Sequence, residues 1–372
     1  MPLYLDFNAT TPVHDEVLEV MIEVYQKNFG NPASRTHIHG HQAKQLVDNS
    51  RKNIAAVLGV NASEVIFTSG ATESNNISIL GLEEFGISQG KKHIISSAIE
   101  HSSVLGPLEQ LSRKGFRVDL IPVGPTGRIT VEDVISRVTE ETLLVSVMHA
   151  NNETGVIQPV KEIGEELVDR NVYFHVDAAQ TLGKLVEELR EVKYDLLSIT
   201  AHKIYGPQGI GALVLKSKKY KRPPITPLMF GGKQEKGLRP GTLPAPLIAG
   251  FGKAAELALQ HYGDWRAKEL EIKNNLLSQL EGISYLINGD ICNSLPNCIN
   301  VSIPGVDSEA LMMGINEHLS VSNGSACTSS EYKPSYVLQH MGALAENAVR
   351  LSWGPNTDFV DLTSLIKFVQ SI

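Results

Sequence analysis

Short apolar runs alternate with amphipathic stretches from about residue 64 to residue 215. Val65–Thr68, His93–Ser97, Arg117–Pro122, Leu143–His149, Val172–Val176, Leu196–Thr200 and Gly211–Leu215 read as buried strands. Segments of helical period lie between most of them. That alternation predicts an α/β architecture, a mostly parallel seven-stranded sheet covered by helices. After about residue 243 the pattern changes. Two helical stretches, Leu247–His261 and Trp265–Leu280, precede the run Asn297–Ile303 and a helix near Ser308–His318. Short runs at Leu319–Ser322 and Val349–Trp353 and a last helix ending at Ile372 follow, an α+β texture that predicts a second, smaller domain.

Length agrees with that division, since 372 residues exceed one ordinary core. A net charge of −8 argues against a broad polyanion-binding face, so direct nucleic-acid binding is not expected. The basic run Lys216–Arg222 reads as a solvated surface segment. The longest apolar candidate for a membrane span, near Pro240 to Gly252, is broken by prolines. The N-terminus lacks a signal-peptide pattern, and three cysteines (Cys292, Cys298, Cys327) form neither zinc spacing nor a disulfide framework. A reducing cytoplasm is the expected compartment.

Chemistry-bearing residues fall just after the strands, where parallel sheets hold their ligands. Thr68-Ser69-Gly70-Ala71-Thr72-Glu73-Ser74-Asn75 turns from a strand into a helix, which suits either a phosphate or an ordinary cap at Thr72. Glu100-His101 and Asn151-Asn152-Glu153 follow the next strands, and each alone would equally well be structural. Asp177 ends an apolar strand, where a carboxylate is costly unless it meets a cation or a strong donor. Lys203 follows a buried strand, between Thr200-Ala201-His202 and the turn at Gly206-Pro207. Such a lysine is either a solvated cation or an amine able to form a Schiff base. Together, an anion site, a ring-stacking imidazole, a buried carboxylate and a lysine are the parts that pyridoxal phosphate needs. His37-Ile38-His39-Gly40-His41 lacks a completing carboxylate or thiol, and no metal site is expected there.

In this order and spacing the chain resembles the fold-type I pyridoxal phosphate enzymes of the class V aminotransferase superfamily, specifically cysteine desulfurases of the NifS/IscS type. Matching stretches run from Tyr4-Leu5-Asp6-Phe7-Asn8-Ala9-Thr10-Thr11-Pro12 through Phe29–Ser34 and Arg239–Pro244 to Ser325–Ser329 and Arg350-Leu351-Ser352. The resemblance implies a large cofactor domain over residues 16–255 and a small one built from 1–15 and 256–372. Lys203 would carry the cofactor, and Ala71, Thr72, Thr200 and His202 would hold its phosphate. His101 would stack on the ring and move protons, Asp177 would pair with the ring nitrogen, and Asn152 and Gln180 would reach the ring oxygen. Arg350, with Asn152, would bind the substrate carboxylate, and Thr242 would reach the phosphate in the other subunit of a homodimer. Cys327 would take sulfur from L-cysteine, releasing L-alanine, and pass it to an acceptor protein. Small polar neighbours around Cys327 read as an exposed loop, while Cys292 and Cys298 read as structural.

The chain departs from the pattern at Thr200-Ala201, where serine and glycine are usual, and at Pro240, where a serine is common. Only 22 residues follow Arg350 (372 − 350), fewer than in the IscS type. Desulfurases of this type serve iron–sulfur assembly, tRNA thiolation and DNA phosphorothioation, and the short tail, lacking the stretch that IscS-type enzymes use to dock their scaffold, tilts the expectation toward a thiolation or modification pathway. Selenocysteine lyases and aminotransferases on this fold are the alternative reading, and a non-enzymatic sulfur scaffold is a third.

Overall fold

The computed structural model describes residues 1–217, 221–324, 334–357 and 360–372. Its strands are β1 (Leu3–Tyr4), β2 (Val65–Thr68), β3 (His93–Ser97), β4 (Arg117–Ile121), β5 (Thr142–Met148), β6 (Tyr173–Asp177), β7 (Leu196–Thr200) and β8 (Gly211–Leu215). They are followed by β9 (Leu286–Ile287), β10 (Cys298–Ser302), β11 (Leu319–Ser320) and β12 (Ala348–Ser352). Strands β2 to β8 form one sheet in the order β2-β8-β7-β6-β5-β3-β4. The β4–β3, β3–β5, β5–β6 and β6–β7 pairs are parallel, whereas β8 is antiparallel to both of its neighbours.

Each residue of β2, β3, β5, β7 and β8 is buried, because helices cover both faces. That double cover is why these strands are apolar throughout instead of alternating. Strand β4 lies at the sheet edge and keeps exposed positions, and it stops before Pro122, which has no N–H for a ladder. Between β3 and β5 the direction of winding reverses, and crevices at such reversals are where ligands sit in open α/β sheets.

One expected boundary is wrong. Leu247–His261 and Trp265–Leu280 are a single 36-residue helix, Ala245–Leu280. Only Tyr262-Gly263-Asp264 separates the two stretches, and an isolated glycine costs a helix about 1 kcal/mol, too little to break it. Packing across the junction offsets that cost: Arg266 pairs with Glu188 at 2.7 Å and the Tyr262 hydroxyl donates to Glu187, both on the helix Val186–Glu191.

The N-terminal part of this long helix buries Ile248, Phe251 and Ala255 in the core that contains Phe67 and Phe174. Its last turns deliver Leu276 and Leu280 to a second core with Val301, Leu351 and Trp353, under the β12-β10-β9 sheet. The Trp353 indole donates to the carbonyl of Glu269 at 2.9 Å. We propose the division near residue 255, inside this helix. Strand β1 pairs with β11, and Asp6 bridges to Ser352, so the first residues of the chain lie beside β12.

Candidate active site

Loops at the carboxyl ends of β2, β3, β5, β6 and β7 surround a cavity of about 450 Å3. After β2, Gly70 takes φ 156° and ψ 179°, a conformation nearly restricted to glycine, and caps the helix Ala71–Leu80. Gly211 lies against it: a Cβ there would come within 2.7 Å of the Gly70 Cα and 2.5 Å of the Ile199 carbonyl. The close approach aims the first turn of the helix, Ala71 and Thr72, at the cavity, and its N–H groups lack intrahelical partners. The cap is Gly70 and not Thr72. Thr200 ends β7 beside this turn. His202 pairs through Nδ1 with the Thr10 hydroxyl at 3.2 Å, and burial, with help from the Lys203 charge, pushes its pKa down to about 4.

A hydrogen-bonded chain crosses the cavity floor. Asp177, at the end of β6, accepts from the Ala179 N–H at 2.9 Å and from Asn75 Nδ2 at 2.7 Å. Asn75 also donates to the Ser103 hydroxyl at 2.9 Å, which pairs with His101 Nδ1 at 2.8 Å. His101 caps the helix Ser102–Arg113 by accepting the Ser103 N–H at Nδ1, so the proton of the neutral ring belongs on Nε2. Burial lowers the His101 pKa, Asp177 opposing and Lys203 adding to the effect. Glu100, fully buried behind His101, accepts from the Ser97 hydroxyl at 2.6 Å and the Met148 N–H at 3.0 Å. Its other oxygen has no partner among the described residues, and burial raises its pKa to about 8.

The opposite wall joins the two ends of the chain to residues from its middle. Lys203 donates to the carbonyls of Asn8 and Ala9, the latter at 2.7 Å. Gln180 Nε2 donates to the same Asn8 carbonyl at 3.0 Å, and its Oε1 is buried without a partner among the described residues. Arg350, on β12, is 3% exposed and donates from Nη1 to the Asn152 carbonyl at 2.9 Å and from Nη2 to Asp6 at 2.5 Å. Asn152 thus contributes its backbone to Arg350 and, at 3.2 Å, to Asn8.

Ala71, Thr72, His101, Asn152, Asp177, Gln180, Thr200, His202, Lys203 and Arg350 all line the one cavity. Thr242 does not; it is exposed on the loop before the long helix. Cys327 lies outside the described residues, although Gly324, three positions before it, lines the cavity. Cys298 is buried, whereas Cys292 is exposed, so packing supports the structural reading only for Cys298. His37 caps the helix Ile38–Leu58 by accepting from the Gly40 N–H at 3.1 Å. Asn75 and Asn8 lie in stretches singled out in the sequence but, like Ser103, were given no role at the site. A polar residue one helical turn after Thr72 and another two after His101 were the only signals available for Asn75 and Ser103.

Residues 3–365 match the family described as aminotransferase class-V, and the chain belongs to that family. It is 42% identical over 381 aligned residues to the cysteine desulfurase IscS of Rickettsia bellii, covering 100% of this chain and 91% of that relative. Among solved structures, a NifS-like protein superposes with a TM-score of 0.90 at 36% identity, covering 100% of this chain and 99% of that one. SspA in complex with cysteine superposes with a TM-score of 0.84 at 34% identity, covering 96% and 100%. Within the class-V family the chain therefore falls among the cysteine desulfurases of the NifS/IscS type, on the fold-type I scaffold.

Proposed function

We propose that the chain uses pyridoxal phosphate to take the sulfur of L-cysteine, leaving it as a persulfide on Cys327 and releasing L-alanine. The observation that carries this reading is the convergence of Lys203, Asp177 and Arg350 on one cavity, with an anion-binding helix start between them. The donor set fits the cofactor. A helix N-terminus, Thr72, Thr200 and His202 suit its phosphate, and Lys203 suits its carbonyl carbon. Buried Asp177, already aligned by Asn75 and Ala179, suits a protonated ring nitrogen, and the unpartnered Gln180 oxygen marks a polar wall awaiting a donor. Asn152 would face the ring oxygen, and Thr242 would reach the phosphate of a second subunit in a homodimer. Bound there, pyridoxal phosphate supplies an electron sink for bonds broken at the substrate Cα.

The chain's own groups then divide the work. Arg350 holds the substrate carboxylate as a two-pronged donor. Lys203, once its amine is free, carries the Cα proton, and His101 offers its Nε2 proton from the ring face. The Cys327 thiolate attacks the substrate sulfur: an S–S bond forms, the C–S bond breaks, and its electron pair leaves with carbon, which takes up a proton. Cysteine loses one sulfur atom and the enzyme thiol gains it, so no outside oxidant is needed. A thiolate of an acceptor protein in the cytoplasm would then attack the outer sulfur, forming a new S–S bond while the old one breaks and Cys327 leaves as its thiolate, so the sulfur passes to the acceptor. Among the described residues no helix is long and apolar enough to cross a membrane.

The test is Cys327→Ser incubated with L-cysteine, with alanine and transferable sulfur measured together. Both should fall to background. Alanine and sulfur formed at the parent rate would overturn the assignment.

A further inference from the structure

Among the described residues Asp6 does not line the cavity, yet it pairs with one of its cations, Arg350. The bridge from Asp6 to Ser352 sets the two segments side by side, and the Phe7 N–H donates to the Ser352 carbonyl at 3.2 Å. That register brings Asp6 Oδ1 to 2.5 Å from Arg350 Nη2. Tyr4 steadies the turn by donating to the carbonyls of Asp6 and Thr10, each at 3.0 Å. Arg350 faces the cavity, its side chain 3% exposed; Asp6, 20% exposed, stands behind it. The other acidic neighbour, Glu153, accepts the Ser335 hydroxyl at 2.5 Å and makes no ion pair with Arg350 among the described contacts. Arg350 thus meets any incoming carboxylate with one anion already attached.

From this arrangement we infer that Asp6 is a positioning residue that aims the Arg350 guanidinium and offsets its charge, weakening the hold on α-carboxylates so that the amino-acid product can leave. The inference rests on the proposed reading of Arg350 as the substrate-carboxylate site. Aim and charge can be separated. In Asp6→Asn an amide oxygen still accepts from Nη2, so the guanidinium keeps its direction, while a negative charge a few ångströms from the carboxylate site is gone. The bare Coulomb term at that range is an upper bound, and once solvent screening of the partly exposed Asp6 carboxylate is counted the change is worth about a tenfold gain in carboxylate affinity. A residue that only aimed Arg350 would leave affinity unchanged or lower it when replaced.

The experiment is calorimetric titration of the cofactor-loaded parent and Asp6→Asn chains with L-alanine, alongside KM and kcat for L-cysteine. L-Alanine should bind about tenfold tighter to Asp6→Asn, and KM for L-cysteine should fall. Cysteamine, which lacks the carboxylate, should bind both chains equally. If Asp6→Asn does not accumulate as folded protein, Asp6→Ser replaces it, with the same direction expected. Unchanged or weaker L-alanine binding overturns the role of Asp6 while leaving the desulfurase reading intact if the parent still turns over L-cysteine. If the parent neither binds L-alanine nor consumes L-cysteine, both readings fall together.

Discussion

Replacing Glu100 by glutamine should remove a pH-dependent weakness built into the core. Glu100 is fully buried, its Oε1 is satisfied by Ser97 and Met148, and its Oε2 has no hydrogen-bond partner among the described residues. Burial, with the nearby Asp177 charge adding to it, raises the pKa from 4.5 to about 8. Below pH 4.5 the carboxyl is neutral in both folded and unfolded chains and costs nothing. Between 4.5 and about 8 the unfolded chain ionises first, so stability falls as pH rises; above about 8 the full cost is present. At 1.36 kcal/mol per pH unit that interval amounts to about 5 kcal/mol, an upper figure because relaxation and water entry reduce it. Glutamine keeps the acceptor for Ser97 and Met148 and cannot ionise. Thermal unfolding of parent and Glu100→Gln at matched pH values, without cofactor, isolates the effect, since other titrating groups largely cancel in the difference. The Tm of the variant relative to the parent should climb by on the order of 5 °C or more between pH 5 and pH 8.5. A gap that does not change with pH would refute the argument, by showing that Glu100 ionises at its ordinary pH inside the fold.

Gly211→Ala should be destabilising by about 1–3 kcal/mol, because the new methyl meets the Gly70 backbone, and it should weaken retention of pyridoxal phosphate on dialysis. Asn75→Ala removes the Nδ2 donor from Asp177 and should cost about 1–3 kcal/mol in chemical denaturation, with the Ser103 and His101 end of the chain loosened as well. Arg350→Lys should raise KM for L-cysteine about tenfold or more, since an ammonium cannot replace both prongs of the guanidinium; an unchanged KM would remove Arg350 from substrate binding. Trp353→Phe should lower Tm by a few degrees, the loss of one buried hydrogen bond to the Glu269 carbonyl plus some packing.

The sheet was legible because burial on both faces leaves almost no alternation to misread. Val65–Thr68, His93–Ser97, Leu196–Thr200 and Gly211–Leu215 have the boundaries that their apolar runs suggest. The strand direction of β8 was not legible, since a buried run of five residues carries no mark of orientation. Likewise the helix Ala245–Leu280 hid its continuity behind Gly263. The cost of one glycine is local, while the contacts of Tyr262 and Arg266 that outweigh it are with residues some 75 positions earlier in the chain. Asp177, Lys203 and His101 could be singled out because each is a polar group placed directly after an apolar strand. Asn75 gave no such signal: it sits inside a helix, and its importance appears only once β6 brings Asp177 within 2.7 Å.

The residues that escaped local reading share a cause. The cavity is closed by pairings far apart in sequence, Asp6 with Arg350 across 344 positions, Lys203 with Asn8 across 195 and Gln180 with Asn8 across 172. Contacts of that separation leave no periodicity to detect, and they order slowly because loop closure precedes any gain from them. The sheet can therefore form, and present Asp177 and Lys203, before the Asp6–Thr10 turn docks against Ser352 and His202. Docking of that turn completes the carboxylate side of the site, because Arg350 takes its aim from Asp6 and from the Asn152 carbonyl. Substrate selection and cofactor retention should accordingly separate within the turn: substitutions at Asp6, which pairs with Arg350, should shift amino-acid affinity more than cofactor loading, whereas loss of the Thr10 hydroxyl, which pairs with His202, should shift cofactor loading more.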